Sequence, residues 1–262
     1  MQPGADRQPP SPSSMPRRRS VPPAPVQRPR GLNFSRSVPH RGRLEAFYIF
    51  DTGVLCSIAR DEVGCHQFVK HFEGRMYTTD VIVDEVKNRA SRPIGPDGQL
   101  MKLAAADALR RLILPGKVQI VSLDAAAWTT YDSVMQQLRG LTAARAADVD
   151  ELNVVERHSG EASAIAWSKQ SLAADYQVVL VTNDGDASVA AASQSVEVRH
   201  FGHVLHELVC ANRLASDKAW NFYERAVGMS GIPTPAALRS KDDLVCKGTA
   251  ERCTACEFSS GL

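Results

Sequence analysis

Gln177-Val178-Val179-Leu180-Val181-Thr182-Asn183-Asp184-Gly185-Asp186 is the stretch that decides the fold. Four consecutive apolar residues, three of them β-branched, suit a strand buried on both faces. The run breaks at once into polar and acidic residues with a glycine, so the strand's carboxyl end opens into a turn. Phe47-Tyr48-Ile49-Phe50, followed by Asp51-Thr52-Gly53, repeats the design near the start of the chain. Working outward, Arg75–Tyr77, Val118–Val121 and Val196–Arg199 read as further strands. Helical spacing predicts helices over Gly53–Ala59, Glu62–Phe72, Gln99–Leu114, Asp186–Ser193, Val204–Asn212 and Asp217–Val227. Three more have polar starts: one capped by Thr79 or Asp80 and running to Arg89, one from Asp124 to Leu138, and one from Ser159 to Lys169. Strands alternating with helices imply an α/β fold of three layers, a central parallel sheet flanked by helices. Ligands in such sheets bind at the carboxyl ends of the strands.

Beyond these elements the composition changes. Residues 1–43 hold ten of the fifteen prolines, nine Arg and a single acid, Asp6. So few large apolar residues cannot offset the entropy of ordering, which predicts a disordered Pro/Arg-rich arm. The remainder holds 22 basic and 28 acidic groups, a basic arm on an acidic body. This asymmetry suits a polyanion at the arm and a cation at the body. The folded domain is expected over 44–228, with a flexible cysteine-containing tail over 229–262. The segments Ser91–Gly98 and Gly140–His158 read as a loop and a partly helical insertion.

No run approaches the ~18 apolar residues that a bilayer requires. The basic N-terminus lacks the apolar core of a signal peptide. The expectation is a cytoplasmic protein with no membrane partner. Cys56, Cys65 and Cys210 fall within apolar or helical patterns and read as reduced thiols. Cys246, Cys253 and Cys256 could contribute three thiolates to zinc, but the tail has no histidine for a fourth ligand. Reduced thiols are therefore the preferred reading there too.

If the two strands that end in Asp51 and Asp184 are neighbours, those carboxylates converge at one edge of the sheet. Clustered carboxylates repel one another unless a cation lies between them. Hard divalent ions such as Mg²⁺ or Mn²⁺ take such oxygens. Glu161 occupies the first turn of the helix after Ser159, and Glu85 shares the face of Val81 and Ile82. Asp186 follows Asp184 by two residues. Each acid also has an ordinary role to hand. Asp51 and Asp184 could cap helices, Glu161 could face a helix dipole, Glu85 could be a solvated residue, and Asp186 a turn residue.

The order of these acids, on Tyr-Ile-Phe-Asp-Thr-Gly, Thr-Thr-Asp-Val-Ile-Val-Asp-Glu-Val, Gly-Glu-Ala-Ser-Ala-Ile-Ala and Thr-Asn-Asp-Gly-Asp, resembles the acidic motifs of PIN-domain nucleases from Phe47 to Leu214. The resemblance implies a five-stranded parallel sheet and metal-dependent cleavage of phosphodiesters, usually in RNA. It implies Asp51, Glu85, Glu161 and Asp184 as site acids, with Asp186 as a supporting fifth and Thr182 and Asn183 in the polar shell. A carboxylate-held water would be the nucleophile, leaving a 5′-phosphate and a 3′-hydroxyl. No His or Lys is placed by the motifs as a general base. The expected activity is that of a Mg²⁺- or Mn²⁺-dependent endoribonuclease. Its alternative is a catalytically silent module that binds RNA or protein.

Asp51-Thr52-Gly53 also matches the opening of an aspartic protease site. That fold is almost all β, and this sequence has no second Asp-Thr/Ser-Gly. Within the nuclease reading, the chain could be a toxin or a stand-alone processing enzyme. The corresponding partners are RNA, an antitoxin protein and a second copy of the chain.

Overall fold

The structure is a computed structural model that describes residues 46–92, 98–145, 158–230, 238 and 240–244, all within the compact unit Ser35–Leu262. Residues 1–43 and the tail cysteines lie outside the described residues, as do 93–97 of the expected loop and 146–157 of the expected insertion.

The chain runs β1 (Phe47–Phe50), α1 (Thr52–Arg60), α2 (Glu62–His71), β2 (Met76–Thr79), α3 (Asp80–Ser91) and α4 (Gln99–Ala108). A π-helical stretch, Leu109–Ile113, leads to β3 (Gln119–Val121) and α5 (Ala125–Arg145). There follow α6 (Ser159–Ala173), β4 (Val178–Val181), α7 (Gly185–Ser193), β5 (Glu197–Arg199), α8 (Phe201–Cys210) and α9 (Ser216–Ser230). The five strands form one all-parallel sheet in the order β3-β2-β1-β4-β5. The two strands with the strongest apolar runs, β1 and β4, are therefore its central pair.

Strand alternation divides the core between two faces. Tyr48 and Phe50 point to one side, where their rings meet Phe72 and Phe68 of α2. Phe201 of α8 and Phe222 of α9 extend that aromatic layer. On the other side Phe47 packs edge-on to Tyr77, which stacks on Trp167 of α6. This is the expected arrangement of helix layers around a parallel sheet. The core also takes in two residues beyond α9, since Leu238 and Leu244 are buried within it. Among the described residues, no helix is long and apolar enough to cross a membrane.

Several local expectations shift. β2 begins and ends later than Arg75–Tyr77, because Met76 and Tyr77 pair with Tyr48 and Ile49 while Thr78 and Thr79 continue against β3. The expected helix 99–114 changes to π geometry after Ala108 before the turn at Gly116, whose φ is +67°. Asp124 caps α5 as expected, accepting from Ala127 N at 2.9 Å. The helix nevertheless passes Leu138 and Gly140 and continues to Arg145, into what read as an insertion. Tertiary packing against α6 and α7 outweighs the modest helix cost of one glycine.

Candidate metal centre

The site lies at the carboxyl ends of β1, β2 and β4. Phe50 is in register with Val181, so the chain leaves both central strands at the same level. Asp51 N donates to Val181 O at 3.2 Å, and the Thr182 hydroxyl donates to the Asp51 carboxylate. Asp184 stands two residues beyond. Its backbone N–H donates to Thr182 Oγ1 at 3.0 Å, closing the turn that carries it back towards Asp51. Asn183 has a structural duty here, since its Oδ1 accepts from Phe201 N at 3.0 Å and ties the turn to α8.

Both central aspartates do cap helices. Val54 N donates to Asp51 Oδ1 at 2.6 Å, and Ala187 N donates to Asp184 Oδ1 at 2.8 Å. The capping and ligand readings are compatible, because a carboxylate has two oxygens and about four acceptor sites. The helix N-terminus fixes the group and favours its charge.

Glu161 is brought in by α6. Ser163 Oγ lies 2.6 Å from Thr79 Oγ1 at the end of β2, which pins the first turn of α6 to the sheet edge. Gly160 allows the approach. A Cβ built there would lie 2.5 Å from Glu85 Oε2, 3.2 Å from Ile82 Cγ1 and 3.6 Å from Thr52 Oγ1. Any larger residue would push into the site. Ser159 does not cap this helix. The N-cap position belongs to His158, in the left-handed region at φ 80° and without a capping side-chain hydrogen bond.

Glu85 arrives on α3 and accepts from Thr52 Oγ1 at 2.8 Å. It also pairs with a cation, Arg89, one helical turn further on. The Glu-to-Arg spacing of four residues was a readable signal for this pair.

The electrostatics follow from burial first and from the neighbouring charges second. The Asp51 carboxyl rises to about 6, chiefly through burial, although hydrogen bonds from Thr182 and Val54 oppose the rise and the charges of Asp184 and Glu85 add to it. Glu161 is pushed further, to about 8, first by burial and then by the charges of Asp51 and Glu85, with a smaller push from Asp184. Carboxylates from four elements thus act on Asp51 and Glu161, and a set of oxygen donors of this kind suits a hard divalent cation.

Asp186, the supporting fifth acid, sits in the first turn of α7. It is buried, and its Oδ2 lies 3.5 Å from the Thr142 hydroxyl of α5. That hydroxyl lies 2.8 Å from His158 Nε2. A ring nitrogen of His158, an oxygen of Glu161 and an oxygen of Asp184 all fall within 4.8 Å of one another. The motifs place no histidine here, but the structure does. His158 immediately precedes Ser-Gly-Glu, and a lone histidine beside a motif is a weak signal. Thr142 was hidden in the segment expected as an insertion.

Among curated proteins and among solved structures nothing matches the chain significantly. The family profile of the PIN domain matches residues 48–193, more than half of the chain, from β1 through α7. With that match and the five-stranded parallel sheet, the chain belongs to the PIN-domain family.

Proposed function

We propose that the protein is a metal-dependent endoribonuclease. The observation that carries this reading is the burial of Asp51 and Glu161 among the charges of Glu85 and Asp184, since burial first and those charges second raise both groups well above ordinary carboxyl values. Such a cluster is costly unless its charge is used, and a Mg²⁺ or Mn²⁺ ion uses it. Asp51, Glu161 and Asp184 would hold the ion, with Glu85 at the margin on its Thr52 and Arg89 contacts.

A divalent ion supplies a lowered water pKa and polarisation of the scissile phosphate. The chain's own groups do the rest. Helix N-termini hold Asp51 and Asp184 rigid, so no reorganisation is needed when substrate arrives. A water oxygen attacks phosphorus, its proton passes to a carboxylate of the cluster, and the bond to the 3′-oxygen breaks, that oxygen taking a proton from solvent water. The products are a 5′-phosphate and a 3′-hydroxyl. Arg89, about two-fifths exposed beside Glu85, is within the site's rim and can meet a phosphate oxygen.

Arg89 is also the observation that favours the second reading, a silent module that binds RNA or a protein, since it already neutralises one of the acids. A cleavage assay on single-stranded and structured RNAs, with Mn²⁺ and with EDTA, separates the two when paired with thermal melts. EDTA-sensitive cleavage together with a Mn²⁺-dependent rise in melting temperature is the expected result. Absence of both across those RNAs would leave the silent module.

A further inference from the structure

His158 is a buried histidine in an acidic site, and the reaction proposed above does not use it. It is 8% exposed, sits at the N-terminus of α6, and offers a ring nitrogen within 4.8 Å of oxygens of both Glu161 and Asp184. Ligands held at about 2.1 Å from an octahedral ion stand about 3 Å apart in adjacent positions and about 4.2 Å apart in opposite ones. The three donors are already close to that range, so a small movement brings them to a common centre.

We propose that His158 is a ligand of the ion, giving the site a mixed nitrogen and oxygen donor set that selects Mn²⁺ over Mg²⁺. The proposal rests on the metal-dependent reading and sharpens it. Mg²⁺ is held by oxygens and by the waters it retains, whereas imidazole nitrogen suits transition ions. The surroundings are those of an oriented ligand. Thr142 Oγ1 lies 2.8 Å from His158 Nε2 and donates to Asp186 Oδ2 at 3.5 Å, so a hydroxyl and a carboxylate back the ring. Ligating imidazoles are commonly set by such partners. Asp186 then acts through Thr142 and His158 as a positioning residue.

The test uses the full chain, stripped of metal and reloaded with Mn²⁺, and reads electron spin echo modulation from ¹⁴N. Calorimetric titrations with Mn²⁺ and with Mg²⁺ accompany it. The variant is His158→Asn, because asparagine tolerates the left-handed backbone that this position requires. Wild type is expected to show nitrogen coupling, and H158N to lose it. The variant's Mn²⁺ affinity should fall about tenfold or more, while its Mg²⁺ affinity changes about twofold at most. Bound Mn²⁺ without nitrogen coupling in wild type overturns this proposal and leaves the nuclease reading intact. Equal weakening of both ions in H158N also overturns it. Should H158N fail to fold, the wild-type spectrum decides alone. Failure of wild type to bind either ion overturns both this proposal and the metal-dependent reading.

Discussion

Glu161 and Glu207 are both partly buried glutamates on helices packed against the same sheet, yet their surroundings drive them in opposite directions. Glu207, on α8, accepts from Tyr48 Oη at 2.9 Å and from Arg199 Nη1 at 2.8 Å, with His71 Nε2 at 3.3 Å. Burial alone would raise its carboxyl. The hydrogen bond with His71, the Arg199 charge and the Tyr48 hydroxyl outweigh burial and hold it below the ordinary glutamate value. Glu161 has burial acting on it in the same sense, but its neighbours are Asp51, Glu85 and Asp184, and it rises to about 8. Burial does not decide what a carboxylate is for; the charges gathered around it do. The Glu207 network locks β1, β5, α2 and α8 together, whereas the Glu161 cluster keeps a repulsion that a cation would relieve.

The comparison is broken most severely at the cluster. Asp51→Asn and Asp184→Asn each keep the capping oxygen and remove the charge. Each is expected to reduce Mn²⁺-dependent RNA cleavage by at least about a thousandfold, and to abolish the Mn²⁺ melting shift. The metal-free variant should at the same time be more stable by about 1 kcal/mol, since one of several mutually repelling charges is gone. Nearly unchanged stability together with unchanged cleavage would mean instead that these aspartates serve only the helix ends.

At the other region the sign reverses. Glu207→Gln removes the carboxylate that Arg199, Tyr48 and His71 share. Stability should fall by about 2 kcal/mol while cleavage by the folded protein persists, as chemical denaturation and single-turnover rates would report. If cleavage collapsed along with stability, the two networks would have to be coupled.

Titration sharpens the contrast. A carboxyl raised on folding binds more protons in the folded chain than in the unfolded one between the two pKa values, so stability is lost as pH rises. Asp51 moves from 3.8 to about 6 and Glu161 from 4.5 to about 8. Through these groups the metal-free protein should lose stability as pH climbs from about 4 to about 8. Mn²⁺ competes with the protons, so its stabilising effect should be greatest at the upper end of that window. Melts that show no difference between pH 5 and pH 8, with the pH dependence of Glu207→Gln as reference, would contradict the raised carboxyls of Asp51 and Glu161.

The mildest change is Gly160→Ala. Its methyl would meet the end of the Glu85 side chain, which can swing away at little cost to the fold. Cleavage should drop about tenfold as Glu85 leaves Thr52, with stability altered by less than about 1 kcal/mol. A fully active Gly160→Ala would remove Glu85 from the working site.

How much of this could be read from the residues depends on the range of the interactions. The apolar run Val178–Val181 and the strand Phe47–Phe50 declare buried parallel strands by composition alone, and Asp51 and Asp184 stand where such strands must end. Thr79 and Asp124 announce helix starts because capping is satisfied within three residues. The Glu85–Arg89 pair was equally local, and was legible at its i,i+4 spacing. Gly140 and Ser159 misled for the same reason, since each obeys a local rule that packing overrides: α5 runs through the glycine, and α6 starts from His158 in a backbone conformation that a sequence does not announce.

The sequence by itself determined the alternation of strands and helices, the placement of acids at strand ends, and the family to which those acids belong. Packing of the whole chain is what sets β1 beside β4, brings α6 close enough at Gly160 to add Glu161, and gathers His158, with Thr142 behind it, to Glu161 and Asp184. Propensity, capping and period act over a few residues. Strand order and the meeting of side chains from separate elements arise when the whole core packs, and no window of sequence contains them.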